Sequence, residues 1–252
     1  MIALRRAEER HHNRSEEQEV WRTFRPDEGA ESFSERFGPL AFLDEGRLPP
    51  GGQIPRRPAR DGELLTYVRE GSLSHDDSLG GLAVIHAGDF QRITAARGRR
   101  LTAANASRTG ETHVFQIGLR PSTGTLAPAH EQKRFRPAER RGVLRLVASP
   151  DGRNGSLHVH QDAFLYSAVL DSGRQVTHPL ARDRRAWLHV VHGKVTIGEL
   201  ALATGDGLGV SGECVISLTA QAETELLLLD LPDARAPKRV AARHPPIPAS
   251  VP

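Results

Sequence analysis

The chain has 252 residues, 26% of them charged, with 24 Gly, 17 Pro, 5% aromatic residues and a formal net charge of +3. That length holds one large domain or two of roughly 100–120 residues, and 38% hydrophobic content excludes a disordered chain. The most apolar run, the four leucines at 226–229, stops at Asp230, far short of the roughly 20 residues a spanning helix needs, and the lone Cys214 excludes a disulfide framework and a Cys-rich zinc site.

Residues 1–6 carry no apolar signal core, so the expectation is a soluble cytoplasmic protein with no membrane partner. The basic balance has a location. Residues 233–252 hold Arg235, Lys238, Arg239 and Arg243 against Asp233, which accounts for the net +3. Only Lys133, Lys194 and Lys238 are lysines among 34 basic residues, and no ordered basic stripe interleaved with aromatics appears. A nucleic-acid partner is therefore disfavoured.

In chain order, Leu64-Leu65-Thr66-Tyr67-Val68 reads as a strand closed by Arg69-Glu70-Gly71. Leu82-Ala83-Val84-Ile85-His86 follows, closed by Ala87-Gly88-Asp89. His113-Val114-Phe115-Gln116-Ile117-Gly118-Leu119 alternates and stops at Pro121. Short strands at this spacing predict a β-sandwich or barrel, and Pro137-Ala138-Glu139-Arg140 is the one helical turn expected between 120 and 145. The pattern then recurs. Ala186-Trp187-Leu188-His189-Val190-Val191 leads into Gly193, then Gly205-Asp206, Cys214-Val215-Ile216-Ser217-Leu218 and Glu225-Leu226-Leu227-Leu228-Leu229. Gly71/Gly88-Asp89 and Gly193/Gly205-Asp206 thus mark two copies of one antiparallel barrel. The proline-rich segment after Pro232 has no apolar period and reads as disordered.

Several segments resemble the pirin family, whose members are bicupins: Asp61-Gly62-Glu63-Leu64-Leu65-Thr66-Tyr67-Val68, Gly71-Ser72-Leu73-Ser74-His75-Asp76-Asp77-Ser78, Ala87-Gly88-Asp89-Phe90-Gln91, His130-Glu131-Gln132, Ser149-Pro150-Asp151-Gly152 and Val159-His160-Gln161-Asp162. The resemblance implies an all-β bicupin of two tandem antiparallel jelly-roll barrels. The expected division is an N-terminal cupin over 1–122, a linker over 123–145, a C-terminal cupin over 146–232 and a basic tail over 233–252. It also implies one iron in the N-terminal barrel, held by three His and one Glu, and a quercetin dioxygenase-like or redox-sensing activity. The four positions that match those ligands carry Arg57, Ala59, Leu101 and Ala103. Ala and Leu have no donor atoms and Arg is a cation, so the expectation is a vacated pocket with no metal and no cofactor.

Arg57 and Arg100, with Arg56, Arg60, Arg97 and Arg99, suggest that the pocket attracts an anion. Glu63, Asp61, Tyr67 and His75 are acid/base candidates, and Glu63 is also a candidate internal partner for Arg57. The first reading is a metal-independent small-molecule binder or enzyme, with cyclisation or isomerisation in specialised metabolism as the chemistry in view. A regulatory protein with a protein partner is the second, and a metal-dependent dioxygenase the third; the sequence leaves open whether the chain is catalytic.

The remaining histidines and the cysteine read more blandly. His158 and His160 share a strand face, and His160 matches a family position that is not a ligand. His189 and His192 do not share a face. His178 stands in the second barrel's counterpart of the first ligand segment. His11-His12 reads as an isolated exposed pair, and Cys214 as a buried small hydrophobe. The C-terminal barrel is expected to be closed and structural.

Overall fold

Apolar runs punctuated by glycine become strands throughout this chain, and their pairing fixes where every candidate residue points. The computed structural model describes residues 2–24, 37–58, 62–77, 81–95, 100–120 and 127–233. In chain order the strands are β1 (Ile2–Arg5), β2 (His11–Arg14), β3 (Glu19–Arg22), β4 (Leu40–Leu48), β5 (Gln53–Pro58), β6 (Gly62–Glu70), β7 (Ser72–Asp77), β8 (Gly81–His86), β9 (Asp89–Ala95), β10 (Arg100–Asn105), β11 (Thr112–Leu119) and β12 (Ala129–Arg134). After the helical turn α1 (Pro137–Arg140) come β13 (Arg145–Ser149), β14 (Leu157–His158), β15 (Phe164–Leu170), β16 (Gln175–Pro179), β17 (Arg184–His192), β18 (Lys194–Ile197), β19 (Leu200–Ala203), β20 (Gly207–Ser211), β21 (Val215–Ala220) and β22 (Thr224–Pro232).

Two barrels result, as the repeat predicts. The first joins the sheet β12-β9-β6-β11-β4-β3-β2 to the sheet β5-β10-β7-β8, and the second joins β1-β20-β17-β22-β15-β13-β14 to β16-β21-β18-β19. Two boundaries differ from expectation. Strand β1 pairs antiparallel with β20, so the N-terminus belongs to the second barrel. The expected linker over 123–145 contains β12, which pairs with β9 and completes the first barrel. The expected tail over 233–252 lies outside the described residues except for Asp233.

The repeat holds at the level of single atoms. Gly71 and Gly193 have φ of +77° and +91°, and a methyl group at either would run into the carbonyl oxygen of Glu111 or Glu223. Next to each glycine a threonine closes the hairpin. Thr112 Oγ1 donates to Ser72 O at 2.8 Å and accepts from Ser72 N at 3.2 Å. Thr224 Oγ1 does the same to Lys194 O and N, at 2.8 and 3.1 Å. Asp89 and Asp206 each accept a backbone N–H three residues back, from His86 at 2.9 Å and from Ala203 at 3.0 Å.

The two seven-stranded sheets pack back to back. Phe24, Leu43, Leu65, Tyr67, Phe90, Phe115 and Ile117 from the first form one buried cluster with Val147, Leu165, Trp187, Leu227 and Leu229 from the second. Each large side chain buried there stabilises the fold by about 1.5–3 kcal/mol. The second barrel has an extensive aliphatic interior of its own, including Leu170, Leu188, Val195, Leu208, Leu218 and Leu228. The apolar interior of the first is sparser: Leu48, Val68, Leu73, Ile85, Ala103 and Val114.

A buried ionic group crosses the interface. Arg10 Nη1 donates to Glu45 Oε2 at 2.8 Å, and His113 Nε2 meets Glu45 Oε1 at 2.8 Å. Burial opposes ionisation of Glu45, but the His113 hydrogen bond and the Arg10 charge hold its pKa at about 2. His189 is fully buried beside them and neither ring nitrogen has a hydrogen-bond partner. Burial, reinforced by Arg10, lowers its pKa from 6.5 to about 3.

Two predictions follow from this packing. Gly193→Ala costs at least about 2 kcal/mol and Thr224→Val about 1–2 kcal/mol in denaturant melts, because one forces a backbone clash and the other strands buried N–H and C=O groups. Stability falls with pH from 6.5 towards 3, since the unfolded His189 takes up a proton that the folded one refuses, by up to about 1.4 kcal/mol per pH unit. Glu45 adds a loss of the same sign between 4.5 and 2. In His189→Leu the slope between pH 6.5 and 4.5 flattens; equal slopes in variant and wild type would refute the assignment.

Candidate functional site

The two segments that carry the four substituted positions are hydrogen-bonded neighbours. In the register of β10 against β5, Leu101 pairs with Arg57, Arg100 with Pro58, and Ala103 with Ile54. On its other side β10 pairs with β7, placing Leu101 opposite Asp77, Ala103 opposite His75 and Asn105 opposite Leu73. Ala59 and Asp61 lie outside the described residues. Asn105 holds the end of β10 in place: its Nδ2 donates to the carbonyls of Leu48, Pro49 and Gly110 at 2.8–3.0 Å, and its Oδ1 accepts from Ser107 N and Thr112 Oγ1, both at 2.8 Å.

Ala103 is buried among Leu48, Val68, Leu73, Ile85 and Val114 inside the first barrel. His75 stands across from it and is 3% exposed. Its Nδ1 hydrogen-bonds Gln91 Oε1. Gln91 pairs in register with Thr66, so His75, Gln91 and Thr66 converge on the same interior. Three polar atoms there have no hydrogen-bond partner: His75 Nε2, Gln91 Nε2 and Thr66 Oγ1. Burial pushes the His75 pKa below 6.5, outweighing the Gln91 hydrogen bond that favours protonation. The interior thus offers a neutral imidazole, an amide N–H and a hydroxyl within one apolar wall.

Glu63 and Tyr67 are not part of this group. Strand β6 is buried on both faces, and its odd-numbered residues turn to the interface between barrels while Thr66 and Val68 turn inward. Glu63 accepts from the backbone N of His160 at 2.8 Å and meets its Nδ1 at 2.9 Å, with Arg92 Nη1 at 4.0 Å. Tyr67 OH donates to Glu225 Oε1 and receives Arg140 Nη2 at 3.2 Å. Burial, aided by the Glu225 charge, raises the Tyr67 pKa far above its usual range. Both residues therefore join the two barrels; the expected grouping of Glu63 and Tyr67 with His75 in one cavity is corrected to His75, Gln91 and Thr66. Gln91 and Thr66 were not singled out by sequence, although their place in adjacent strands of one sheet is the signal that unites them.

Family proteins with this architecture imply an iron at the positions of Arg57, Ala59, Leu101 and Ala103. The donor set does not fit such an ion. Ala103 and Leu101 offer no lone pair, Arg57 beside them in register is a cation, and the nearby His75 already gives Nδ1 to Gln91. Among the described residues no three His, Cys, Asp or Glu side chains gather as metal ligands.

Residues 11–119 match the pirin family, and residues 146–231 match the quercetinase C-terminal cupin domain. The chain is 38% identical over 239 residues to the quercetin 2,3-dioxygenase of Escherichia coli K12, covering 92% of this chain and 99% of that protein. The chain belongs to the pirin family. A pirin-like protein of Caulobacter vibrioides is 32% identical over 195 residues, spanning 77% of this chain and 84% of its own length. The crystal structure of the Escherichia coli pirin YhhW in complex with nickel(II) superposes with a TM-score of 0.84 at 38% identity, covering 93% of this chain and all of that one. The bicupin fold expected from sequence is therefore that of this pirin.

Other histidines of this pirin fall as follows. His158 and His160 do meet, with ring centroids 5.0 Å apart, but His160 is bound to Glu63. His12 is not isolated: it stacks on Trp21 at 4.9 Å and pairs with Glu19 at 2.9 Å. Cys214 precedes β21 and is exposed, correcting its expected burial; the strand begins one residue later. Because desolvation dominates at His75, histidine 15N shifts at pH 6.5 are expected to show it predominantly neutral, and a half-protonated ring there would contradict the site geometry.

Proposed function

We propose that this pirin binds a small anionic molecule inside its N-terminal barrel without a metal ion. The observation that carries the reading is the buried, hydrogen-bond-incomplete group of His75 Nε2, Gln91 Nε2 and Thr66 Oγ1 beside Ala103. Orphaned polar atoms cost about 1–3 kcal/mol each when nothing meets them. A ligand that donates to the His75 lone pair and accepts from Gln91 recovers that cost. A carboxylate or enolate that also carries a hydroxyl has this complement. Arg57 and Arg100 stand in paired strands beside Ala103, and positive charge on those strands would favour an anion.

Within that arrangement His75 is the group placed to accept a proton at Nε2, while Gln91 and Thr66 orient the ligand. Proton transfer of this kind, as in an isomerisation or cyclisation, is the chemistry within reach. A regulatory role has less support. Exposed large apolar side chains among the described residues are Ile2 and Leu4 on one face of β1, with Val84, Val143 and Val215 from three other segments.

The test is a calorimetric titration of chelator-treated protein with small hydroxycarboxylates. Saturable binding is expected, unchanged by added chelator and weakened about tenfold in His75→Phe and in Gln91→Leu. Binding that requires added nickel or iron would overturn the proposal.

A further inference from the structure

The C-terminal barrel is not closed at one end. A cavity of about 420 Å³ lies where β15, β16, β17 and β22 come together, and a second of about 500 Å³ adjoins it, sharing Leu144, Arg153 and Tyr166. The groups at its wall were widely separated in sequence. His178 Nε2 meets Asp230 Oδ2 at 2.9 Å, 52 residues away. Asp230 is also held by Arg184 Nε, and Arg184 Nη1 reaches both carboxylate oxygens of Asp162 at 3.0 Å. Tyr166 packs on His178 with ring centroids 4.9 Å apart.

His178 and Arg184 both hold Asp230, and the His178 ring lines the cavity. Asp230 accepts the Nε2–H, which leaves the Nδ1 lone pair without a protein partner on a ring that lines the cavity. Burial, with the Asp230 charge, raises the Tyr166 pKa, so its phenol keeps its proton and remains a donor. Arg153 supplies the other requirement. Its guanidinium lies 4.7 Å over the Phe164 ring, its nearest acid Asp151 is 3.7 Å away, and its side chain is 52% exposed. It therefore presents a flat, positively charged face at the cavity rim.

We propose that this end of the C-terminal barrel is a second small-molecule site, suited to an aromatic hydroxy acid. The hydroxyl would donate to His178 Nδ1, the carboxylate would meet Arg153, and the ring would lie against Leu144, Phe164 and Tyr166, which line the cavity. The site is independent of the N-terminal pocket, which opens into the other barrel. Neither the family nor the relatives' names assign a ligand to this barrel.

Calorimetric titration of the full chain with para-hydroxybenzoate tests it, with benzoate and para-hydroxybenzyl alcohol as arms lacking the hydroxyl donor and the negative charge. In the His75→Phe chain, whose N-terminal pocket is disabled, one saturable site is expected, with both arms binding more weakly. Arg153→Ala and His178→Gln should each weaken it about tenfold, and His75→Phe should leave it intact. Because Arg153 is at the surface, its variant keeps the test valid if His178→Gln misfolds. Absence of saturable binding, wild-type affinity in Arg153→Ala, or loss of the site in His75→Phe would overturn the proposal.

Discussion

The back-to-back packing of the two seven-stranded sheets is the constraint from which the rest of the molecule follows. A strand side chain can point only to one face or the other. In β6, β11, β17 and β22 one face is the interface and the other is a barrel interior, so neither is solvent. Each residue of these strands is thereby committed either to joining the barrels or to facing a barrel interior. Leu65 and Tyr67 join; Thr66 and Val68 line. A one-residue slip of β6 would exchange the two sets and destroy both the interface and the pocket.

The same constraint sorts the ionisable groups. At the interface, charges come in opposed sets: Arg10 with Glu45 and His113, Glu63 with His160 and Arg92, Glu225 with Tyr67, Arg69 and Arg140. These contacts bridge residues up to 158 positions apart and fix one barrel against the other. Such buried pairs contribute little net stability but penalise any other docking of the sheets, since a displaced partner leaves an uncompensated charge. Hydrogen bonding is also incomplete at the interface, at both His189 nitrogens and at His113 Nδ1; inside the first barrel it is incomplete at His75 Nε2, Gln91 Nε2 and Thr66 Oγ1. Incomplete hydrogen bonding next to space is where a ligand gains most.

Much of this was legible in the sequence. The Gly71/Gly88-Asp89 and Gly193/Gly205-Asp206 repeat announced two barrels because glycine readily adopts the φ of +77° to +91° found at all four positions. The resemblance puts metal ligands at positions that here carry Leu101 and Ala103, which have no lone pair to give. What could not be read was direction. Leu64-Leu65-Thr66-Tyr67-Val68 is almost continuously apolar because both faces are buried, so no alternation shows which side Glu63 or Tyr67 takes. Pairings such as His178 with Asp230 depend on barrel closure rather than on local spacing, and were invisible for that reason. The helical turn at Pro137–Arg140 was predicted, but β12 was hidden in a stretch whose charges read as linker.

We propose that this pirin barrel keeps its shape without the family's metal-binding chemistry. The most direct measurement is elemental analysis of purified protein after incubation with nickel and iron, beside a variant carrying Arg57→His, Ala59→His, Leu101→His and Ala103→Glu. The account predicts negligible metal in the wild type and near-stoichiometric metal in the variant. A full complement of nickel or iron in the wild-type chain would contradict it.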